Sequence, residues 1–125
     1  MKKYLGLLKV DGFNRIYQLE EFQEEFEDTV SETKTTGRYH EWLRTKLRQL
    51  DALGYQACKL RDFEPLTDTD PKLYSIRYPK SPKNTRVLYI YVEGSRVYLL
   101  HAFNEKSKSD YANAIKTATN RIKSL

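Results

Sequence analysis

One cysteine, Cys58, is too few for an intramolecular disulfide. The fold must therefore rest on its core, and a reducing compartment is expected. The sequence also lacks an apolar run long enough to cross a membrane. Its opening stretch YLGLL is cut short by Lys9 and Asp11, too early for a signal-peptide core, so a cytoplasmic location is expected. Internal repeats, low-complexity tracts and linker-like segments are missing too. At 125 residues, 39% hydrophobic and 13% aromatic, the chain is expected to form a single domain over 1–125 with no metal or cofactor.

Charge is present in quantity and unevenly placed. The formal net charge is +5, with nine Lys/Arg against ten Asp/Glu in residues 1–58 and thirteen against seven in residues 59–125. The segment from Gln18 to Glu32 carries seven acidic residues and no basic one. A polyanion should avoid that segment and approach the surface built from the second half.

Leu19, Phe22, Phe26 and Val30 recur at helical spacing, which predicts an amphipathic helix over 19–31 with an acidic outer face. A second helix is expected from about Tyr39 to Leu53, with Leu43, Leu47 and Leu50 inward, Trp42 beside them and Gly54 as its stop. Lys3 to Val10 reads as an opening strand, Ser31 to Gly37 as a polar link, 55–72 as irregular and Leu73 to Tyr78 as a strand. Pro79 to Asn84 reads as a polar connection carrying Lys80 and Lys83. A final helix, capped by Ser109, should bury Tyr111, Ile115, Ala118, Ile122 and Leu125. The predicted class is α+β: a mostly antiparallel sheet with two N-terminal helices and a C-terminal helix, the helices on one face.

Thr85 to Phe103, TRVLYIYVEGSRVYLLHAF, has two β-branched and aromatic runs flanking Glu93-Gly94, the pattern of an antiparallel hairpin. A two-residue loop would set Ile90 opposite Val97, Leu88 opposite Leu99 and Arg86 opposite His101. A fixed cation and a titratable imidazole would then stand together at the open end of the hairpin.

Arg86-Val-Leu-Tyr89, the turn, Leu99-Leu-His101-Ala-Phe103 and then Lys106 and Lys108, preceded by Leu73-Tyr-Ser-Ile-Arg77, resemble the signature of HigB-like toxins in the RelE/ParE superfamily, many of them phage-derived. The resemblance implies a RelE-like order, β-α-α-β-β-β-α. It also implies an endoribonuclease cutting mRNA on the ribosome, partnered by a HigA-like helix-turn-helix antitoxin and reaching operator DNA only through it. The family pattern usually has Glu two residues before the strand arginine, where this chain has Ser75. Ala102 stands where Gly is usual, and Ser109-Asp110 follows where Thr and Pro are common. A scheme that needs a carboxylate at position 75 therefore lacks it.

Metal-free cleavage by the ribose 2′-OH needs a base, an acid and cations for the phosphorane. His101 is the one second-half side chain whose ordinary titration range is near neutrality. Arg77 and Arg86 can hold phosphate oxygens bidentately but stay protonated. The catalytic set is therefore read as His101, Arg77 and Arg86, with Lys106, Lys108, Lys59 and Arg61 contacting RNA and with Glu105 and Tyr111 able to reach the same end of the sheet. The plainer reading makes His101 a satisfied core histidine and pairs the arginines with acidic residues of 62–70. The alternative function is a ParE-like, non-enzymatic inhibitor of DNA gyrase.

Overall fold

The computed structural model describes residues 7–31, 36–79, 81 and 83–125. In chain order these form β1 (Leu7–Lys9), β2 (Ile16–Leu19), α1 (Phe22–Val30) and α2 (Thr36–Leu53), which runs on into a 3-10 stretch at Gly54–Lys59. Then come β3 (Phe63–Pro65), β4 (Tyr74–Tyr78), β5 (Thr85–Val92), a 3-10 turn at Glu93–Ser95, β6 (Arg96–Asn104) and α3 (Lys108–Lys123). The expected positions 3–6, 32–35 and Lys80 lie outside the described residues.

The class is α+β, and the described residues form three helices and one six-stranded sheet ordered β1-β2-β6-β5-β4-β3. Every pairing is antiparallel except β2 with β6, which is parallel. Relative to the expected order, two short strands are added. The chain after Asp11-Gly12 does not go straight into a helix; Ile16–Leu19 first turns back on β1 and docks beside β6, so α1 starts at Phe22 and Leu19 belongs to the sheet. Phe63–Pro65 adds an edge strand to β4, the one place in a sheet where a proline removes no needed ladder bond.

The helices do not share one face. Tyr39 and Trp42 of α2 pack on Tyr78, with ring centroids 5.1 Å and 4.7 Å away. Tyr111 of α3 packs on Phe103 and under the guanidinium of Arg86. Tyr78 pairs with Thr85 and the neighbouring Arg77 pairs with Arg86, so these contacts lie on opposite sides of the pleat. The sheet is thus a central layer. On the α2 side Leu43, Leu47, Leu50, Phe26 and Phe22 meet the inward residues of the strands, all buried. On the other side Ala114 and Ala118, small and buried, let α3 lie close.

Local chemistry fixes the helix ends. Gly54 adopts φ +57° at the end of α2, and a Cβ there would meet the Arg15 guanidinium at 2.7 Å. The Asp51 carboxylate accepts from the Asn14 and Arg15 backbone N–H groups at 2.7–3.1 Å, binding the β1–β2 turn to α2. The cap of α3 is Ser107 rather than Ser109: its hydroxyl accepts from the Asp110 N–H while the Asp110 carboxylate accepts from the Ser107 N–H. Ser107→Ala should cost about 1 kcal/mol, read as a lower urea midpoint at unchanged slope.

Candidate active site

The hairpin register differs from the two-residue-loop expectation in two steps that partly cancel. The loop has three residues, with Ser95 at φ +63°, which puts Ile90 opposite Tyr98 and Tyr91 opposite Val97. A bulge then adds one more residue to β6 at Leu100, so Leu88 opposes His101 and Arg86 opposes Phe103. Each one-residue shift alone would reverse the faces; together they restore them. Arg86 and His101 therefore share a face but are not opposed. They are diagonal neighbours, spaced about 7–8 Å in such a ladder.

Phe103 fills the place expected for the histidine. Its ring stacks on His101, 5.6 Å between centroids, and meets Tyr111 on the other side. His101 turns toward the helices, where its Nδ1 lies 2.7 Å from Glu25 Oε1 of α1. The same carboxylate accepts from Ala102 N at 3.2 Å and from Arg121 Nη1 and Nη2 at 2.9 and 2.8 Å. Burial pushes the Glu25 carboxyl up, but the hydrogen bonds from His101 and Arg121 outweigh it and hold it at about 2. The Arg121 guanidinium is correspondingly raised by its bond to Glu25. Contrary to the expectation of a wholly outward acidic face, Glu25 turns inward, and His101 belongs to its network.

Arg77 and Arg86 do come together, as a directly opposed pair on β4 and β5. Glu64 of β3 sits between them, with Oε1 2.8 Å from Arg86 Nη1 and Oε2 4.0 Å from Arg77 Nη1. Glu105, just after β6, brings Oε1 to 2.5 Å from Arg86 Nε, in ion contact without hydrogen-bond alignment. Tyr111 lies under Arg86, 5.3 Å from guanidinium carbon to ring centroid. Burial, then the charge of Glu64, raises the Tyr111 phenol, which stays protonated. Arg86 is nearly enclosed, whereas the Arg77 and Glu64 side chains are 36% and 37% exposed. The cluster has an open mouth on the β3–β4 side.

Glu64 is the residue that sequence reasoning passed over. It directly opposes Ser75, the position where the family pattern carries glutamate. The strand lacks the carboxylate, and the neighbouring strand puts one on the same face at the same level. Its signal was available only as an acidic residue in 62–70, a segment read as irregular.

The remaining residues expected to contact RNA divide into two places. Lys106 and Lys108 are exposed at the start of α3, beside Glu105. Lys59 is exposed at the end of the 3-10 stretch, and Arg61 lines a cleft with Trp42 and Tyr78 on the α2 side. Among the described residues no group of His, Cys, Asp and Glu is arranged to hold a metal, and no helix is long and apolar enough to cross a membrane.

The family model described as phage derived protein Gp49-like (DUF891) matches residues 42–123, more than half of the chain, and the chain belongs to that family. The match takes in Glu64, Arg77, Arg86, His101, Glu105 and Tyr111, and leaves Glu25 outside. No curated protein and no solved structure matches the chain.

The Glu25 carboxyl is held below its ordinary 4.5, so its contribution to stability is fully present above that pH and is lost as pH falls toward about 2. Glu25→Gln should destabilise the protein by about 3 kcal/mol at pH 7, the cost of breaking a buried pair. Urea titrations of both proteins should show that gap narrowing between pH 4.5 and 2. A gap independent of pH would place the stabilisation elsewhere.

Proposed function

We propose that the protein is the toxin of a type II toxin–antitoxin pair and that it cuts mRNA without a metal at the Arg77–Arg86 cluster. The observation that carries this reading is the cross-strand arginine pair shared by one half-exposed carboxylate, with a protonated phenol beside it. Metal-free phosphate cleavage needs positive charge fixed at the phosphorane, a base and an acid. Membership of a phage-derived family and the resemblance to HigB-like toxins point the same way.

In this scheme the Arg77 and Arg86 guanidinium groups hold the non-bridging oxygens of the scissile phosphate. Glu64 takes the proton of the ribose 2′-OH, whose oxygen attacks phosphorus. The bond from phosphorus to the 5′-oxygen breaks, and the Tyr111 phenol gives that oxygen its proton. The products are a 2′,3′-cyclic phosphate and a 5′-hydroxyl; proton exchange through water returns Glu64 and Tyr111 to their starting states. His101 then acts as a positioning residue: it fixes Phe103, against which Tyr111 rests.

At rest the two arginines face two carboxylates, so the cluster is close to neutral and is no ready anion hole. A phosphate entering it must draw Arg86 away from Glu64. That makes the site weak for loose RNA and suits a substrate positioned by a larger body, since orientation supplies roughly 7–11 kcal/mol of a barrier. The ribosome is the scaffold we propose, with Lys106 and Lys108 contacting RNA phosphates and a HigA-like antitoxin as the inhibiting partner.

One observation favours a second reading. His101 is engaged by Glu25 and Arg121 instead of standing against Arg86, and a ParE-like gyrase inhibitor has no need of a free imidazole. Supercoiling assays with purified gyrase separate the two, since an mRNA-cutting toxin leaves gyrase untouched.

Glu64→Gln should split binding from cleavage. Removing the charge that occupies Arg86 should tighten RNA binding severalfold, while losing the base should slow cleavage of ribosome-bound mRNA by roughly 10²–10⁴. A merely structural Glu64 would weaken both together. Lys106→Glu with Lys108→Glu should reduce ribosome association and flatten its salt dependence, as expected when phosphate contacts are lost; an unchanged salt slope would move the binding face elsewhere.

A further inference from the structure

The cleft on the α2 side is distinct from the arginine cluster, which lies on the α3 side of the sheet. It has a volume of about 660 Å³ and is walled by Arg38, Glu41, Trp42, Thr45 and Lys46 of α2, by Arg61 and Asp62 before β3, and by Tyr78 and Pro79 after β4. Residues 38, 41, 42, 45 and 46 fall on one helical face by their spacing of three and four, which is why they form a continuous wall. The opposite wall is held in place twice. Lys46 Nζ lies 2.8 Å from Asp62, and the Asp62 carbonyl accepts from Arg77 N at 2.8 Å.

Two features of this cleft go beyond a solvated groove. Trp42 and Tyr78 are stacked on one another nearly parallel, 4.7 Å apart at 11°, and both line the cleft half-buried, so a flat ligand would extend this stack from one of its outer rings. Lys46 neutralises Asp62, which leaves Arg38 and Arg61, both exposed and neither in an ion pair among the described residues. The Trp42 indole N–H is enclosed by protein and has no hydrogen-bond partner among the described residues; it does not face the cleft. An aromatic stack and two unpaired guanidinium groups call for a ligand that is flat and anionic. The volume lies within the roughly 300–1,000 Å³ of small-ligand sites.

We propose that this cleft binds a phosphorylated nucleoside, either a free nucleotide or one residue of a single RNA strand. The base stacks on the Trp42–Tyr78 pair and the phosphate is held by Arg38 and Arg61. The exposed Glu41 is the acceptor available to a base amino group. The inference does not depend on the cleavage reading, because no residue of the arginine cluster takes part.

Trp42 is the only tryptophan in the chain, so its fluorescence reports on this site alone. The 125-residue protein carrying Arg86→Ala, which removes the phosphate contact proposed at the arginine cluster, would be titrated with guanosine and uridine 5′-monophosphates, the unphosphorylated nucleosides, inorganic phosphate and a six-residue oligouridylate. Saturable quenching by the nucleotides is expected, at least tenfold tighter than by nucleoside or phosphate alone. Arg38→Ala with Arg61→Ala should weaken it at least tenfold without changing the thermal midpoint. Calorimetric titration of Trp42→Phe, which keeps a ring, should retain more affinity than Trp42→Leu. An oligomer binding more than tenfold tighter than the monophosphates marks an RNA strand as the source, and equal affinity marks a free nucleotide. No saturable quenching by any nucleotide, or quenching undiminished in the double arginine variant, overturns the proposal.

Discussion

The outer edge of β6 is where this fold is most exposed to failure. Among the described residues β2 pairs with β6 only through Val97, Tyr98 and Leu99, and from Leu100 onward no described strand neighbours it on that side. Side chains take the missing strand's place. Glu25 accepts from Ala102 N, Arg121 Nη1 donates to the Leu100 carbonyl at 2.7 Å, and the Asn104 amide donates to the Thr29 carbonyl at 3.0 Å. Unpaired backbone groups at a partly buried edge are costly, so the Glu25–Arg121 pair closes the sheet and joins α1 to α3 across it. The position of α3 sets where Tyr111 and the lysines at its start lie, so the arginine cluster depends on a contact made on the far side of β6.

The same dependence explains what could be read from the sequence. The three helices and strands β4, β5 and β6 follow from apolar spacing at 3.6 and 2 residues, and Gly54 stops α2 where its position suggested. β2 was hidden because Leu19 fits the stripe of Phe22, Phe26 and Val30, and a four-residue strand carries little periodic signal against a helix. β3 was hidden by Pro65, which reads as a breaker unless the strand lies at an edge.

The site was legible in its residue types and less so in its geometry. Arg77, Arg86, Glu105 and Tyr111 meet at one end of the sheet, as position along the chain suggested. Which residue opposes Arg86 was decided by a three-residue loop and a bulge whose effects on facing cancel, and neither Ser95 nor Leu100 announces itself in the sequence. The partners of the charged residues come from far along the chain: Glu25 lies 76 residues from His101, and Glu64 lies 22 from Arg86. Local pattern contains nothing of such pairings. The plainer expectation, that the arginines pair with an acidic residue of 62–70, is met by Glu64, and that same contact sets a carboxylate opposite Ser75.

RNA cleavage by the two arginines and the carboxylate between them, as proposed, would leave a mark on the product. Sequencing RNA ends within minutes of inducing the protein, with a ligation step selective for 2′,3′-cyclic phosphates, tests it directly. New cyclic-phosphate ends within translated mRNA that disappear in Arg86→Ala are the expected result. Growth arrest with intact mRNA, or cleavage ends that persist in Arg86→Ala, would contradict it.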